Sequence, residues 1–469
     1  MYKAYVTILT NVRKHPNADR LLLADCFGNT VCVSTDYSEN QLGVYFPTDG
    51  QLSVEFAEKN NLVRKKDDAG NSIGGYMDPD KRNVTAIRLR GEKSDGLFLP
   101  ISCLNYCYAH GDASIELCAG DVIDGLVNGH EICCKYIPRR PDPSRAHAGG
   151  NRTRAKKVNI APLFKEHADT EQLAYNLGAF KVGDEIEISL KMHGTSTRTA
   201  YLPVLKGYKR TFWDWLLRRE GTPIYEYDYV SGTRRVVLDN FDGGFYGSNE
   251  FRQPHCDVFR GKLQKGESVY AEIVGFTTSE APIMGSCDNK KLNDKEFIKQ
   301  YGPTTTFSYG CSPSGSDGLP QSDLYVYRMT MTTEEGYVVE YPPHLVRYRC
   351  EQMGVKCVPL LWKGTIPEVA DRIYVDRNNN DECDEGEVIY VKPNDAGEWV
   401  LAKAEEYGVG ADPVGKTHVR EGVVIRIVNR PGFSAYKWKN FEFRCLEGLV
   451  KANADAPDME EAQEISDAE

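Results

Sequence analysis

The chain contains no run of about 18 apolar residues, so no α-helical membrane span is expected. Its opening stretch, MYKAYVTILTNVRKHPNADR, lacks both a sustained apolar segment and a small-residue cleavage site, which speaks against a secretory signal. None of the 14 cysteines stands in a CxxC pair, and they are scattered over 469 residues. A zinc site and a disulfide framework are therefore not expected, and free thiols in a reducing cytoplasm are. An excess of positive charge is also missing: 57 Lys and Arg stand against 68 Asp and Glu, a net charge of −11. For contact with nucleic acid, the distribution of charge matters more than the total. Seven acids and no Lys or Arg fall between Ala452 and Glu469, so residues 451–469 are expected to be a solvated, disordered tail. What is present, 41% apolar and 27% charged residues, suffices for two or three domains with sizeable cores.

The chain is organised around EISLKMHGTSTR, with Lys191 at its centre. Ile186, Ile188 and Leu190 alternate with Glu187, Ser189 and Lys191, the period of a half-buried strand. The apolar set faces a core, and Lys191 shares the polar face with Glu187 and Ser189. Gly194, Thr195 and Ser196 then turn the chain. A lysine held at a strand end before a small-residue turn suits a nucleophile, although most such lysines are simply solvated.

An ordered series follows: SGTRRVVL at 231–238, VYAEIVGF at 269–276, LYVYRMT at 324–330, REGVVIRI at 420–427 and AYKWKNF at 435–441. Together with KMHGTS at 191–196, these blocks resemble the covalent nucleotidyltransferases, the superfamily of ATP-dependent ligases and mRNA capping enzymes. The KxHGT form is similar to that of RNA ligases rather than DNA ligases. An OB-like module before the transferase, and too little chain after Lys439 for another, resembles the bacterial and phage nick-sealing RNA ligases. The implied fold class is α+β: an ATP-grasp-like ligase domain of antiparallel sheets and helices behind a small all-β OB-like barrel.

The resemblance also implies roles. Lys191 is the expected catalytic nucleophile. Leu190, Gly194, Ser196, Arg234, Glu272, Tyr327 (with Tyr325 as runner-up), Lys437 and Lys439 are expected to bind the nucleotide. Glu421, assisted by Glu272, is expected to hold Mg2+ or Mn2+. The family's common Phe-Asp pair stands here as Tyr327-Arg328, so the role of that Asp finds no match. Strand parity sets Arg426 on the face opposite Glu421 unless a bulge intervenes. Lys437 and Lys439, two apart, would point the same way on a strand, which suits a polyphosphate.

The expected domains are an OB-like module over 1–135, a basic linker over 136–157, and a transferase over 158–450 with an acidic insertion at 363–416. In the first, HPNADRLLLADCFG and RLRGEKSDGLFLPI resemble OB-fold tRNA-binding modules, with Arg13, Lys14, Arg20, Arg88 and Arg90 as candidate phosphate contacts. In the linker, Arg139, Arg140, Arg152 and Arg154 are candidate nucleic-acid contacts. Part of 158–180 has helix-like spacing. TFWDWLLRR at 211–219 reads as an amphipathic insertion, with Trp213 and Trp215 as packing residues. DRNNNDECDEGE at 376–387 approaches a calcium loop but has Asp381 where the turn needs Gly, and reads as a solvated acidic loop. The expected function is an ATP-dependent RNA ligase acting through lysyl–AMP on RNA or RNA/DNA nicked duplexes, monomeric, with no membrane partner. The alternatives are a GTP-dependent capping enzyme and a non-catalytic RNA-binding protein with a degenerate transferase.

Overall fold

A computed structural model describes residues 2–66, 72–109, 115–137, 159–217, 221–238, 241, 248–368, 370–374, 389–393 and 396–452. Arg139, Arg140, Arg152 and Arg154, the acidic segment 376–387 and nearly all of the tail lie outside the described residues. The described residues fall into two compact units.

The first unit takes Met1–Pro141, Gly285–Thr306 and Phe441–Ala462. Its largest sheet is antiparallel, with β1 (Ala4–Ile8), β2 (Leu42–Phe46), β3 (Leu97–Pro100) and β4 (Val122–Ile123) in the order β3-β2-β1-β4. Ala4, Val6, Val44, Phe46 and Leu99 alternate inward onto a core shared with Phe56, Leu104 and Ile132. A three-stranded antiparallel sheet spans Thr10–Lys14, Leu21–Cys26 and Asn29–Ser34. Among the described residues these ladders are separate small sheets, which leaves the expected OB-like barrel an expectation. The C-terminal helix Phe441–Ala452 belongs here rather than to the transferase: Phe441 and Cys445 pack with Ala86 and Leu292. Arg88, a candidate phosphate contact, is instead ion-paired with Asp294 at 3.1 Å and Glu442 at 3.2 Å.

The second unit takes the described parts of Asp142–Met284 and Phe307–Asn440. It holds two sheets. The larger runs Val237–Leu238, β7 (Thr222–Gly232), β6 (Thr195–Lys209), β8 (Glu267–Thr278), β9 (Ser322–Thr332), Val338–Glu340. β8 is buried from Glu267 to Phe276, as a central strand covered on both faces must be. The smaller sheet is ordered Glu171–Gln172, β12 (Ala435–Lys439), β11 (Gly422–Ile427), β5 (Glu185–Lys191), β10 (Leu360–Thr365). Ile186, Ile188, Val423, Ile425 and Ile427 form its apolar face, closed by Val400 and Ala404 of the helix α1 (Ala396–Gly408).

Several expectations change here. The segment 363–416 is not merely an acidic insertion, because α1 buries Ala396, Val400, Ala404 and Gly408 at the four-residue spacing of one helix face. Among the described residues, 159–180 contains no α-helix. Its only helical turns are short 3-10 pieces, Leu173–Tyr175 and Leu177–Ala179, and its chain runs over the larger sheet, where Arg198 donates to the carbonyls of Phe164 and Lys165. Trp213 is 66% exposed rather than packed, and the Trp215 side chain lies outside the description.

Candidate active site

Lys191 ends β5, and the register pairs it with Gly422 at the start of β11. The same ladders pair Gly422 with Lys439 and Val424 with Lys437, so Lys191, Lys437 and Lys439 share one face. Gly422 permits this close passage: a Cβ there would lie 2.0 Å from the Trp438 carbonyl oxygen. Just before the strand, Glu421 is 2% exposed and carries the charges that gather these cations. The Lys191 ammonium is 2.7 Å from Glu421 Oε1, and Lys439 Nζ is 3.8 Å from the same oxygen. Oε2 is buried without a hydrogen-bond partner, with His193 Nδ1 4.0 Å away.

The turn after Lys191 is held from three sides. A Cβ on Gly194 would stand 2.3 Å from the Ile273 carbonyl oxygen and 3.0 Å from Glu272 Cγ, so only glycine lets the turn lie against β8. The His193 amide donates to the Tyr309 hydroxyl oxygen at 2.7 Å. Burial, with Glu421 close by, pushes the Tyr309 phenol well above the ordinary tyrosine value. Arg252, wholly buried, donates to the Ser196 carbonyl at 2.9 Å and to Thr195 Oγ1. Across the β6–β8 ladder Ser196 faces Glu272, and its hydroxyl donates to Glu272 Oε2 at 3.4 Å.

The remaining expected residues divide. Arg234 pairs with Asp169, whose carboxyl is pushed up by burial but held below its ordinary value by Arg234, His167 and Lys437 together. Tyr327 sits at a break in register, with Tyr270 opposite Arg328 and Ala271 opposite Val326, so it is the extra residue of a bulge. Its ring lies 5.3 Å from that of His167. Tyr325 is buried and donates to Asp323 Oδ2 at 3.1 Å. Leu190, expected at the nucleotide, points the other way: it is 2% exposed on the apolar side of β5. Arg426 is corrected in the opposite sense. Its register partner is Glu187, which places it on the face of Lys191, while Glu421 stands outside the strand where parity no longer holds. Glu187 is not solvated either, because Arg347 grips it with two bonds of 2.6 and 2.8 Å. Arg328 pairs with Glu340 and lies 4.6 Å from the ring centres of both Tyr270 and Phe433.

Asp169, His167, Tyr309 and Arg252 were missed because they sit in irregular segments or on short turns with no periodicity to mark them. The long-range folding of 159–170, 249–252 and 307–311 brings them here.

No protein-family model and no curated protein matches the chain. Among solved structures, the chain is similar to an RNA ligase of Naegleria gruberi, a lysine-to-methionine variant with AMP and Mn. That likeness has a TM-score of 0.50 and 14% identity over 94% of this chain and 97% of that one. The same ligase with PPi matches at 0.50 and 14%, with the same coverage. At this identity the likeness shows the fold: a mixed, mostly antiparallel arrangement shared along nearly the whole length of both chains.

Proposed function

We propose that this chain is an ATP-dependent RNA ligase that works through a lysyl–AMP intermediate at Lys191. The observation that carries the reading is the strand-end ammonium of Lys191 set 2.7 Å from the buried Glu421 carboxylate, with Lys439 on the same oxygen. The likeness in fold to an RNA ligase, which was solved with AMP and Mn, supports the substrate class.

In the proposed first step, Glu421 takes a proton from Lys191 and the neutral amine attacks the α-phosphorus of ATP. A nitrogen–phosphorus bond forms, the bond from that phosphorus to the bridging oxygen breaks, and pyrophosphate leaves. Lys437, Lys439 and Arg234 offset charge on the phosphates. Glu272 and Ser196 lie across the ladder, positioned for the sugar, and Tyr327 and His167 offer rings to the base. AMP then passes to a 5′-phosphate end, and attack by a 3′-OH joins the strands and releases AMP.

A divalent ion fits the residues present, since Glu421 Oε2 is a buried carboxylate oxygen without a hydrogen-bond partner. Among the described residues no group of three His, Cys, Asp or Glu could hold a metal. Mg2+ or Mn2+ would therefore rest on Glu421 and Glu272 and take further oxygens from the nucleotide. When bound, it supplies positive charge to the phosphates.

The test is incubation with α-labelled ATP, or GTP in parallel, with Mn2+ or Mg2+, followed by a denaturing gel. Label from ATP should stay with the protein, map to Lys191 and vanish in Lys191→Ala with the fold intact by circular dichroism. Label on another lysine, or from GTP alone, would sink the reading.

A further inference from the structure

The strands β6 and β7 form a long hairpin whose two faces differ. On one, Ala200, Leu202, Val204 and Val230 are buried against Ala161 and Phe164. The other carries tyrosines in a row. The register sets Tyr201 opposite Tyr229, Pro203 opposite Tyr227 and Leu205 opposite Tyr225. Tyr201 stacks on Tyr229 with ring centres 4.7 Å apart and planes at 23°, and Tyr227 lies 5.6 Å from Tyr201. Tyr225 is 44% exposed, and the row leads towards a hairpin end where Phe212 and Trp213 are exposed as well.

Cations stand over this row. Lys265 Nζ is 4.8 Å from the centre of the Tyr227 ring, and Arg260 Cζ is 5.5 Å from that of Tyr229. Both are exposed. Among the described residues, acids stand by the patch as well: Asp257, 2.7 Å from Arg260 Nε, Glu334, which accepts from the Tyr227 hydroxyl at 3.4 Å, and Asp228, whose carboxyl is held low by Lys206 and also by Arg260. Lys265 forms no ion pair among the described residues.

We infer that this tyrosine face binds an unpaired RNA strand. On β7 the rings of Tyr225, Tyr227 and Tyr229 stand on alternate residues and repeat about every 7 Å, which offers successive rings to successive bases. Base stacking on aromatics tolerates any sequence, and Lys265 and Arg260 supply charge for the phosphates. An apolar protein partner would look instead for exposed aliphatic side chains, and on this face the tyrosines and cations outnumber the half-buried Pro203 and Leu205. The face lies on the side of β6 opposite Ser196, so it is a second surface, separate from the nucleotide residues. The inference rests on the proposed RNA substrate, but its test needs no ATP, whereas the lysine-labelling test needs no RNA.

The experiment is fluorescence anisotropy of a labelled oligouridylate, and of a duplex RNA of equal length, with the full chain across a salt series. Tyr225→Ser/Tyr227→Ser should weaken single-strand binding about tenfold or more, the worth of one stacked base or better. Lys265→Ala should lessen the salt dependence. Oligouridylate carrying 4-thiouridine should crosslink to residues 225–229, and ATP labelling of the variants should match wild type. Tyr225→Ser alone, at an exposed position, guards against a folding defect in the double variant. Unchanged single-strand affinity in both tyrosine variants, with crosslinks elsewhere, overturns the inference. So does loss of self-association by sedimentation with RNA affinity intact, which would make the face a contact between copies.

Discussion

Glu421 is the residue on which the proposed chemistry turns, because one carboxylate meets two ammonium groups. Its side chain is almost fully buried, so its carboxylate is met by the ammonium groups of Lys191 and Lys439 rather than by water. Glu421→Gln keeps the shape and removes the charge. Labelling by ATP should then fall by about 10²–10³-fold, the scale for loss of one preorganised charge contact, with circular dichroism unchanged. Wild-type rates across a magnesium and manganese titration would take Glu421 out of both the proton and the metal role. Lys191 and Lys439, whose ammonium groups would otherwise repel each other across the sheet, are tolerable because this carboxylate meets both.

Among the elements, α1 changes the reading of the chain most. In the sequence it is the far end of an acidic stretch, but Val400 and Ala404 are wholly buried against Ile188, Val423 and Ile425. The strand that carries Lys191 is thus backed by a helix drawn from more than 200 residues downstream. Val400→Asp should lower unfolding stability in urea by roughly 3 kcal/mol or more, since an unpaired carboxylate would enter the core. A cost near zero would return 396–408 to the status of a solvated insertion. β10 carries the same lesson: its Lys363, Gly364 and Thr365 pair with β5, so the expected insertion also contributes the edge of the sheet.

Across the whole molecule, the N-terminal module is completed by chain from far away. Arg444, on the C-terminal helix, forms an ion pair with Asp95, which is only 4% exposed. Deleting residues 1–135 would therefore strip that helix of its packing partners, so such a truncation does not separate the modules cleanly. A subtler test is Arg444→Met, which should cost about 3 kcal/mol at neutral pH by leaving Asp95 buried and unpaired. Burial already pushes the Asp95 carboxyl up, with Arg444 opposing it, and removing the arginine raises it further. A carboxyl with a raised native pKa holds its proton longer when folded, so stability rises as pH falls through that value. The gap in melting temperature between wild type and Arg444→Met should thus narrow from about pH 7 towards the ordinary aspartate value near 4. A gap that stays constant would mean that Asp95 is not the group left exposed to the loss.

Local pattern alone determined the strand that ends at Lys191, since alternation dictates which side chains share a face whatever lies above them. It also determined that Lys437 and Lys439 point together, because a strand repeats every two residues. Residue type and order carried the expected nucleotide chemistry, which stands as a proposal. Tertiary structure alone decided what covers each face. Glu187 lost its solvent to Arg347, Trp213 kept its own, and Arg426 joined the face of Lys191 through register with Glu187. The reason is range: periodicity is written into neighbouring residues, whereas burial, ion pairing and register are settled between segments that meet only when the chain closes on itself.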